Sequence, residues 1–143
     1  KIKKMTHKII AKYIKNLKFE IPNAKTFFLL EKEISNYKIN IEIKSRQLKE
    51  KIIEVDTSIS LLPTKQDFEK INTIIIYSTI IEVELKVEDK KKLEKIVLVE
   101  VPNAIYSELR LLFISLFEKC GFKKIKVEEK VDFEALYKKR SIQ

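Results

Sequence analysis

INIEIKSRQLKEKIIEVDTSISL, residues 39–61, reads twice over as a strand with one wet face. Ile39, Ile41 and Ile43 alternate with Asn40, Glu42 and Lys44; then Ile53, Val55, Thr57, Ile59 and Leu61 alternate with Glu54, Asp56, Ser58 and Ser60. Successive side chains of an extended chain point to opposite faces, so this period of two gathers the β-branched apolar residues on one side. The connection between the runs is short. That makes them antiparallel neighbours, because a parallel crossover takes about a dozen residues or more.

Toward the N-terminus, Tyr13, Leu17, Phe19 and Ile21 are apolar around Lys18 and Glu20, the pattern of a half-buried strand. Ile9, Ile10, Tyr13 and Ile14 also fit a helical turn, which leaves the start of this element open. Pro22-Asn23 ends the strand, since proline offers no ladder donor. Phe27-Phe28-Leu29-Leu30 follows, and its periodicity allows either a core plug or an exposed apolar loop. Toward the C-terminus a loop over 63–70, with room for one helical turn at 65–68, leads to a long strand over 71–86. Its Ile74-Ile75-Ile76 is apolar on both faces, as in a strand covered on both sides. A short charged helix fits 88–95, and Ile96 to Val99 is an apolar run. Pro102-Asn103 then opens the strongest helix, 104–119.

Ile105, Leu109, Leu112, Phe113, Leu116, Phe117 and Cys120 form a wide apolar stripe on that helix, and Gly121 stands where a left-handed cap belongs. Leu111 and Ile114 lie off the stripe, so the helix has apolar surface for a second partner, such as another subunit. Residues 122–131 read as extended, and Asp132 offers an N-cap for a last short helix over 133–140. Strands first and helices last is the α+β layout, and 143 residues suit one domain, 1–143.

Hydrophobic residues make up 45% and charged residues 36%, a soluble globular balance. The formal net charge of +9 invites a nucleic-acid reading. Yet only three of the thirty bases are Arg, at 46, 110 and 140, and Arg is the residue that reads phosphates and guanines bidentately. A Lys-rich nucleic-acid-binding domain is therefore the weaker alternative. The aromatics Phe19, Tyr77 and Tyr106 are more simply core than base-stacking platforms, because the chain has one glycine and the ribonucleoprotein signature needs several.

His7 and Cys120, the sole His and Cys, cannot build a zinc site, a disulfide framework or a Cys/His catalytic pair. Glu82 and Glu84 share a strand face and Glu128-Glu129 are adjacent, but solvated charge explains both; Ser58, Ser60, Ser78 and Ser107 lack the glycines of a nucleophile elbow. No enzyme, metal or cofactor is expected. The longest uncharged apolar run spans 74–81, far short of a membrane helix, and the basic N-terminal stretch never becomes a signal peptide, so a cytoplasmic protein is expected.

Three stretches resemble the SecB family of bacterial protein-export chaperones. YIKNLKFEIPNA (13–24) is similar to the family's first strand and its Phe-Glu-x-Pro-Asn-Ala ending. LEKIVLVEVPNAIYSELR (93–110) is similar to the lead into the long helix, and GFKKIKVEEKVDFEALY (121–137) to the Gly-Phe and Val-x-Phe-x-Ala-Leu-Tyr ending. The resemblance implies a four-stranded antiparallel sheet packed by a long helix, with a short C-terminal helix, assembled as a homotetrameric dimer of dimers. It implies an ATP-independent holdase that keeps unfolded preproteins competent for export and passes them to the translocase motor SecA. A second implied role is a chaperone dedicated to an antitoxin of a toxin–antitoxin system.

Carried over by position, the client groove would comprise Phe27, Phe28, Leu29, Leu30, Tyr37, Ile39, Ile41, Phe133, Leu136 and Tyr137. The SecA contact would fall on Asn16, where many members carry Asp, and Glu20. Tyr13, Leu109, Leu112, Phe113 and Leu116 would form the oligomer interface.

Overall fold

A computed structural model describes residues 7–34, 37–64, 71–84, 89–122 and 125–142. Four strands, β1 (His7–Glu20), β2 (Tyr37–Lys49), β3 (Ile52–Pro63) and β4 (Asn72–Val83), form one antiparallel sheet in the order β1-β4-β3-β2. The α+β expectation holds. The helical turn expected at 65–68 and the strand continuation past 84 lie outside the described residues.

β1 is extended throughout, which resolves its ambiguous start. Its register against β4 slips between Ile9 and Ala11 and again between Ile14 and Asn16, so each slip holds one extra residue. An extra residue inverts the alternation, which is why Ile10, Tyr13 and Ile14 mimic helical spacing. The second slip also corrects the expected grouping of Tyr13 with Leu17 and Phe19. Tyr13 sits opposite Ser78 on the outward sheet face, whereas Leu17 and Phe19 sit opposite Ile75 and Thr73 on the inward one.

The inward faces of β3 and β4 bury Ile53, Val55, Ile59, Leu61, Ile75 and Ile81. The helices cover them. α2 (Lys90–Lys95), a π-helical turn (Ile96–Glu100) and α3 (Val101–Lys119) run without a break, so the long helix begins well before the expected residue 104. Pro102 is the reason for the wide turn: proline has no N–H, and its ring crowds the carbonyl four residues back. The N–H of Val101 instead donates to the carbonyl of Ile96, five residues back, and the run passes Pro102 unbroken.

Ile105, Leu109, Phe113 and Phe117 recur every fourth residue and are all buried. Phe117 is the hub, with ring centroids 4.8 Å from Phe19, 4.9 Å from Phe113 and 5.5 Å from Phe122. α3 ends as expected on the left-handed Gly121 (φ 99°). The Phe122 N–H donates to the Phe117 carbonyl at 3.0 Å and the Gly121 N–H to the Glu118 carbonyl at 3.1 Å, the two bonds of a Schellman cap.

The segment expected as a loop after β1 is a helix, α1 (Ala24–Lys32). Asn23 caps it by accepting from the Thr26 N–H at 2.8 Å. Leu30 plugs the core, and Phe27 lies on Phe122 with centroids 4.8 Å apart. At the other end of the chain Asp132 accepts from the Ala135 N–H at 2.9 Å and opens α4 (Phe133–Ile142), whose Phe133 is buried with Val99 and Tyr106.

The outward sheet face carries a buried acid. Glu54, expected to be wet, is only 5% exposed. It accepts from Tyr13 Oη at 2.8 Å, Lys15 Nζ at 3.0 Å and Arg46 at 3.2 Å, while Lys15 also reaches Asp56 at 2.9 Å. Lys15 on β1 thereby spans β4 to reach β3, and Arg46 ties in β2. The Lys15 ammonium first, and the Tyr13 hydroxyl second, hold the Glu54 carboxyl below the ordinary carboxylate range. A depressed native value contributes stability that is complete above the unfolded carboxylate pKa of about 4.3 and is lost as pH falls through the native value. Glu54→Gln is accordingly expected to cost about 2 kcal/mol at pH 7 and to flatten the fall in stability below about pH 4. Urea titrations at pH 7 and pH 3 check this; an equal cost at both would remove the charge from the account.

Candidate functional site

The described surface offers two adjoining grooves of mixed apolar and polar lining, and both run along β2. One, of about 900 Å³, is lined by Ile43, Lys44, Ser45, Gln47, Ile53, Leu93, Glu94, Val97, Leu98 and Tyr137. The other, of about 460 Å³, is lined by Ile41, Glu42, Ile43, Lys44, Leu98, Leu136 and Tyr137. Ile43, Lys44, Leu98 and Tyr137 belong to both, so the two form one trough with β2 as one wall and the helical run with α4 as the other. From Ile41 to Gln47 the wall is roughly 20 Å long at strand rise, room for about six residues of extended chain.

Consecutive β2 residues line the trough although their side chains alternate between faces, so the strand's main-chain edge is part of the wall. β2 is an edge strand. Ser58 Oγ donates to the Glu42 carbonyl at 3.3 Å, which turns the Glu42 main chain toward β3. In an antiparallel ladder the next residues point the other way, leaving the N–H and C=O groups of Ile41 and Ile43 directed outward. Farther along, Lys44, Arg46 and Lys49 and a register slip between Gln47 and Lys49 guard the same edge. The open stretch is thus confined to the apolar half of β2.

Polar groups share the trough: Glu42, Lys44, Ser45, Gln47, Glu94 and Tyr137 stand among the apolar side chains. Tyr137 Oη donates to Glu94 at 3.3 Å, and its phenol is pushed up by burial and by that carboxylate. Lys95 pairs with Glu134 at 3.5 Å on the flank. Nothing here resembles a nucleophile beside a base; the trough is suited to burying apolar side chains and pairing with a main chain.

The expected groove residues scatter. Ile41, Leu136 and Tyr137 line the trough. Ile39 is partly buried against the core, and Leu30, Tyr37 and Phe133 are buried core residues. Phe27 is half-buried on Phe122, Leu29 is half-buried, and Phe28 stands 64% exposed on α1. Ile43, Leu93, Val97 and Leu98 were not anticipated as groove residues. The run Ile96 to Val99 carries the signal, but only the structure separates the half-buried Leu98, packed on the edge of the core, from the buried Ile96, Val97 and Val99.

Among the expected interface residues, Leu109 and Phe113 are spent in the chain's own core, Leu112 and Leu116 are half-buried, and Tyr13 is committed to Glu54. Asn16 and Glu20 share the outward sheet face, with Lys18 between them.

The model of the SecB family, described as preprotein translocase subunit SecB, matches residues 2–143. The chain belongs to the SecB family.

Relatives within it include the putative protein-export protein SecB of Pelagibacter ubique (strain HTCC1062), 41% identical over 135 residues, spanning 94% of this chain and 96% of that protein. The protein-export protein SecB of Granulibacter bethesdensis is 27% identical over 139 residues, spanning 92% and 80%. A solved structure of the SecB-like chaperone of Mycobacterium tuberculosis, in complex with a ChAD peptide from an antitoxin, superposes with a TM-score of 0.60 at 11% identity, covering 86% of this chain and 90% of that one. The fold is that of SecB, and membership of the family supports a holdase chaperone of protein export that binds unfolded preproteins. Among the described residues, no helix is long and apolar enough to cross a membrane.

Proposed function

We propose that this SecB-family chain, as one domain over 1–143, holds unfolded precursor proteins by taking an extended apolar stretch into the β2 trough, without catalysis and without a cofactor, in the cytoplasm. The observation that carries the reading is the coincidence of apolar side chains with an open main-chain edge at Ile41 and Ile43. Apolar burial at ~25 cal/mol per Å² is non-directional, and main-chain hydrogen bonds ignore side-chain identity, so many clients fit. Suppression of aggregation of a slow-folding client, with no nucleotide present, is the direct test; a chain that leaves aggregation unchanged at stoichiometric excess refutes it.

A homotetramer, as a dimer of dimers, belongs to the same proposal. Ile14 and Leu17 on the inward face of β1 and Leu111 on α3 are 45%, 41% and 61% exposed, apolar surface on the elements that flank the core. Several troughs on one assembly would retain a client that each holds weakly. Sedimentation at micromolar concentration should give a mass of about 68 kDa, four times 17.0 kDa. Leu17→Asp with Leu111→Asp should shift it to smaller species with unchanged far-UV dichroism. A strict monomer of the unmodified chain overturns the assembly.

Of the two positions carried over for hand-over to SecA at the outward sheet face, Glu20 is the acid, Asn16 is neutral and Lys18 stands between them. The second reading, an antitoxin as dedicated client, uses the same trough; the mycobacterial SecB-like chaperone is in complex with an antitoxin peptide. A toxin–antitoxin gene pair adjoining this gene would favour it.

A further inference from the structure

The two faces of β2 differ in chemistry. Ile39, Ile41 and Ile43 point inward and pack against the core, whereas Lys38, Glu42 and Lys44 between them are exposed and Asn40 is half-buried on the outward side. Their partners on β3 repeat the division: Ile59 and Thr57 are buried opposite Ile41 and Ile43, while Ser58 and Asp56 are half-buried opposite Glu42 and Lys44. The far wall of the trough stands on the inward side, where Leu98 and Tyr137 are half-buried and Leu136 is 48% exposed. A strand laid along the open edge at Ile41 and Ile43 therefore has an apolar side toward Leu98, Leu136 and Tyr137 and a polar side toward Glu42 and Lys44.

We infer that the trough selects segments whose apolar residues alternate with polar ones, added antiparallel to β2, over continuously apolar segments of the same composition. This deepens the proposed function and rests on its trough. Directly opposed residues of neighbouring strands share a face, so client residues opposite Ile41 and Ile43 enter the apolar side. The residues between them meet Glu42, Lys44 and solvent, where an apolar side chain gains no burial and a polar one keeps its hydration. Every pairing in the sheet is antiparallel, and that pairing is the more stable per residue. It also fixes which client amides are engaged. In an antiparallel ladder the outward N–H and C=O of Ile41 and Ile43 bond the residues directly opposite, so the client's apolar residues are those whose own amides point at β2. In a parallel addition the bonds would go instead to the residues on either side, which are the polar ones.

Fluorescence anisotropy on the full chain with short labelled peptides tests this. Two have the same composition, one alternating Leu with Ser and the other carrying its Leu in a single block. The alternating peptide should bind about tenfold more tightly. Two more keep the alternating sequence and carry backbone N-methyl groups, one on its Leu amides and the other on its Ser amides, which removes donors of one parity at a time. Methylation at Leu should weaken binding about tenfold or more, and methylation at Ser should change it less than about twofold. Leu136→Ser, on the exposed wall, should weaken the alternating peptide several-fold and leave the thermal transition unchanged. If the block peptide binds as well as the alternating one, or the two methylation patterns act alike or in reverse, the inference is overturned while the trough stands. Binding untouched by Leu136→Ser places the peptide elsewhere and overturns it too. If neither unmethylated peptide binds, the trough itself is refuted and this inference with it.

Discussion

Ile43→Asp combined with Leu98→Asp should abolish client holding while the protein stays folded. Both side chains face the trough from opposite walls, both are half-buried, and both line its two compartments. Each substitution removes an apolar contact and adds a carboxylate that an occupying segment must desolvate. Together these effects should weaken binding by about 3 kcal/mol, roughly a hundredfold. Partial burial also implies a modest cost to the fold, about 1 kcal/mol per site. Light scattering of an aggregating client, read beside a thermal melt, separates the two effects. Full suppression by a folded double variant would move the site elsewhere, with the exposed Phe28 on α1 the first place to look.

Phe117→Ala should be the most damaging single substitution in the core. Its ring meets Phe19 from β1, Phe113 on its own helix and Phe122 beyond the Schellman cap, so it joins the sheet, the helix and the segment that follows. It also packs at the position whose carbonyl receives the capping bond from Phe122. Deleting a buried phenyl ring costs about 3–5 kcal/mol, or a fall of roughly 10–15 °C in Tm for a chain of this size. A fall of only a few degrees would mean that α1 and Phe122 collapse into the space. Phe28→Ser offers the contrast, because an exposed ring should leave Tm almost unchanged.

Alternating residues at 39–44 and 53–61 were enough to foresee β2 and β3, since one buried face imposes a period of two. The register slips in β1 were not foreseeable, because an inserted residue produces the same spacing as a helical turn. α1 was legible only in part. Asn23 marks a strand stop by sequence, while its other role as an N-cap depends on the Thr26 amide being near. The helix start was misplaced because Pro102 ordinarily opens a helix at its first turn, and here a π-helical turn carries the helix past it. That same turn contributes Val97 and Leu98 to the trough. Within the turn Leu98 is half-buried on the trough wall, Val97 is buried yet borders the trough, and Ile96 is core, a distinction that the run Ile96 to Val99 does not encode by hydrophobicity. Of the residues carried over from the resemblance to SecB, Ile41, Leu136 and Tyr137 lie on the trough, whereas Leu30, Tyr37 and Phe133 lie in the core.

The strand order has a consequence for how the protein itself is made. β1 leaves the ribosome first, yet its partner is β4, with Lys18 against Ile74 and His7 against Val83. Until β4 has emerged, Ile9, Ile14, Leu17 and Phe19 have no strand to pair with. Such long-range closure slows folding and leaves an apolar segment exposed during synthesis. The nascent chain therefore passes through a state with an unpaired, partly apolar strand before the sheet closes on it.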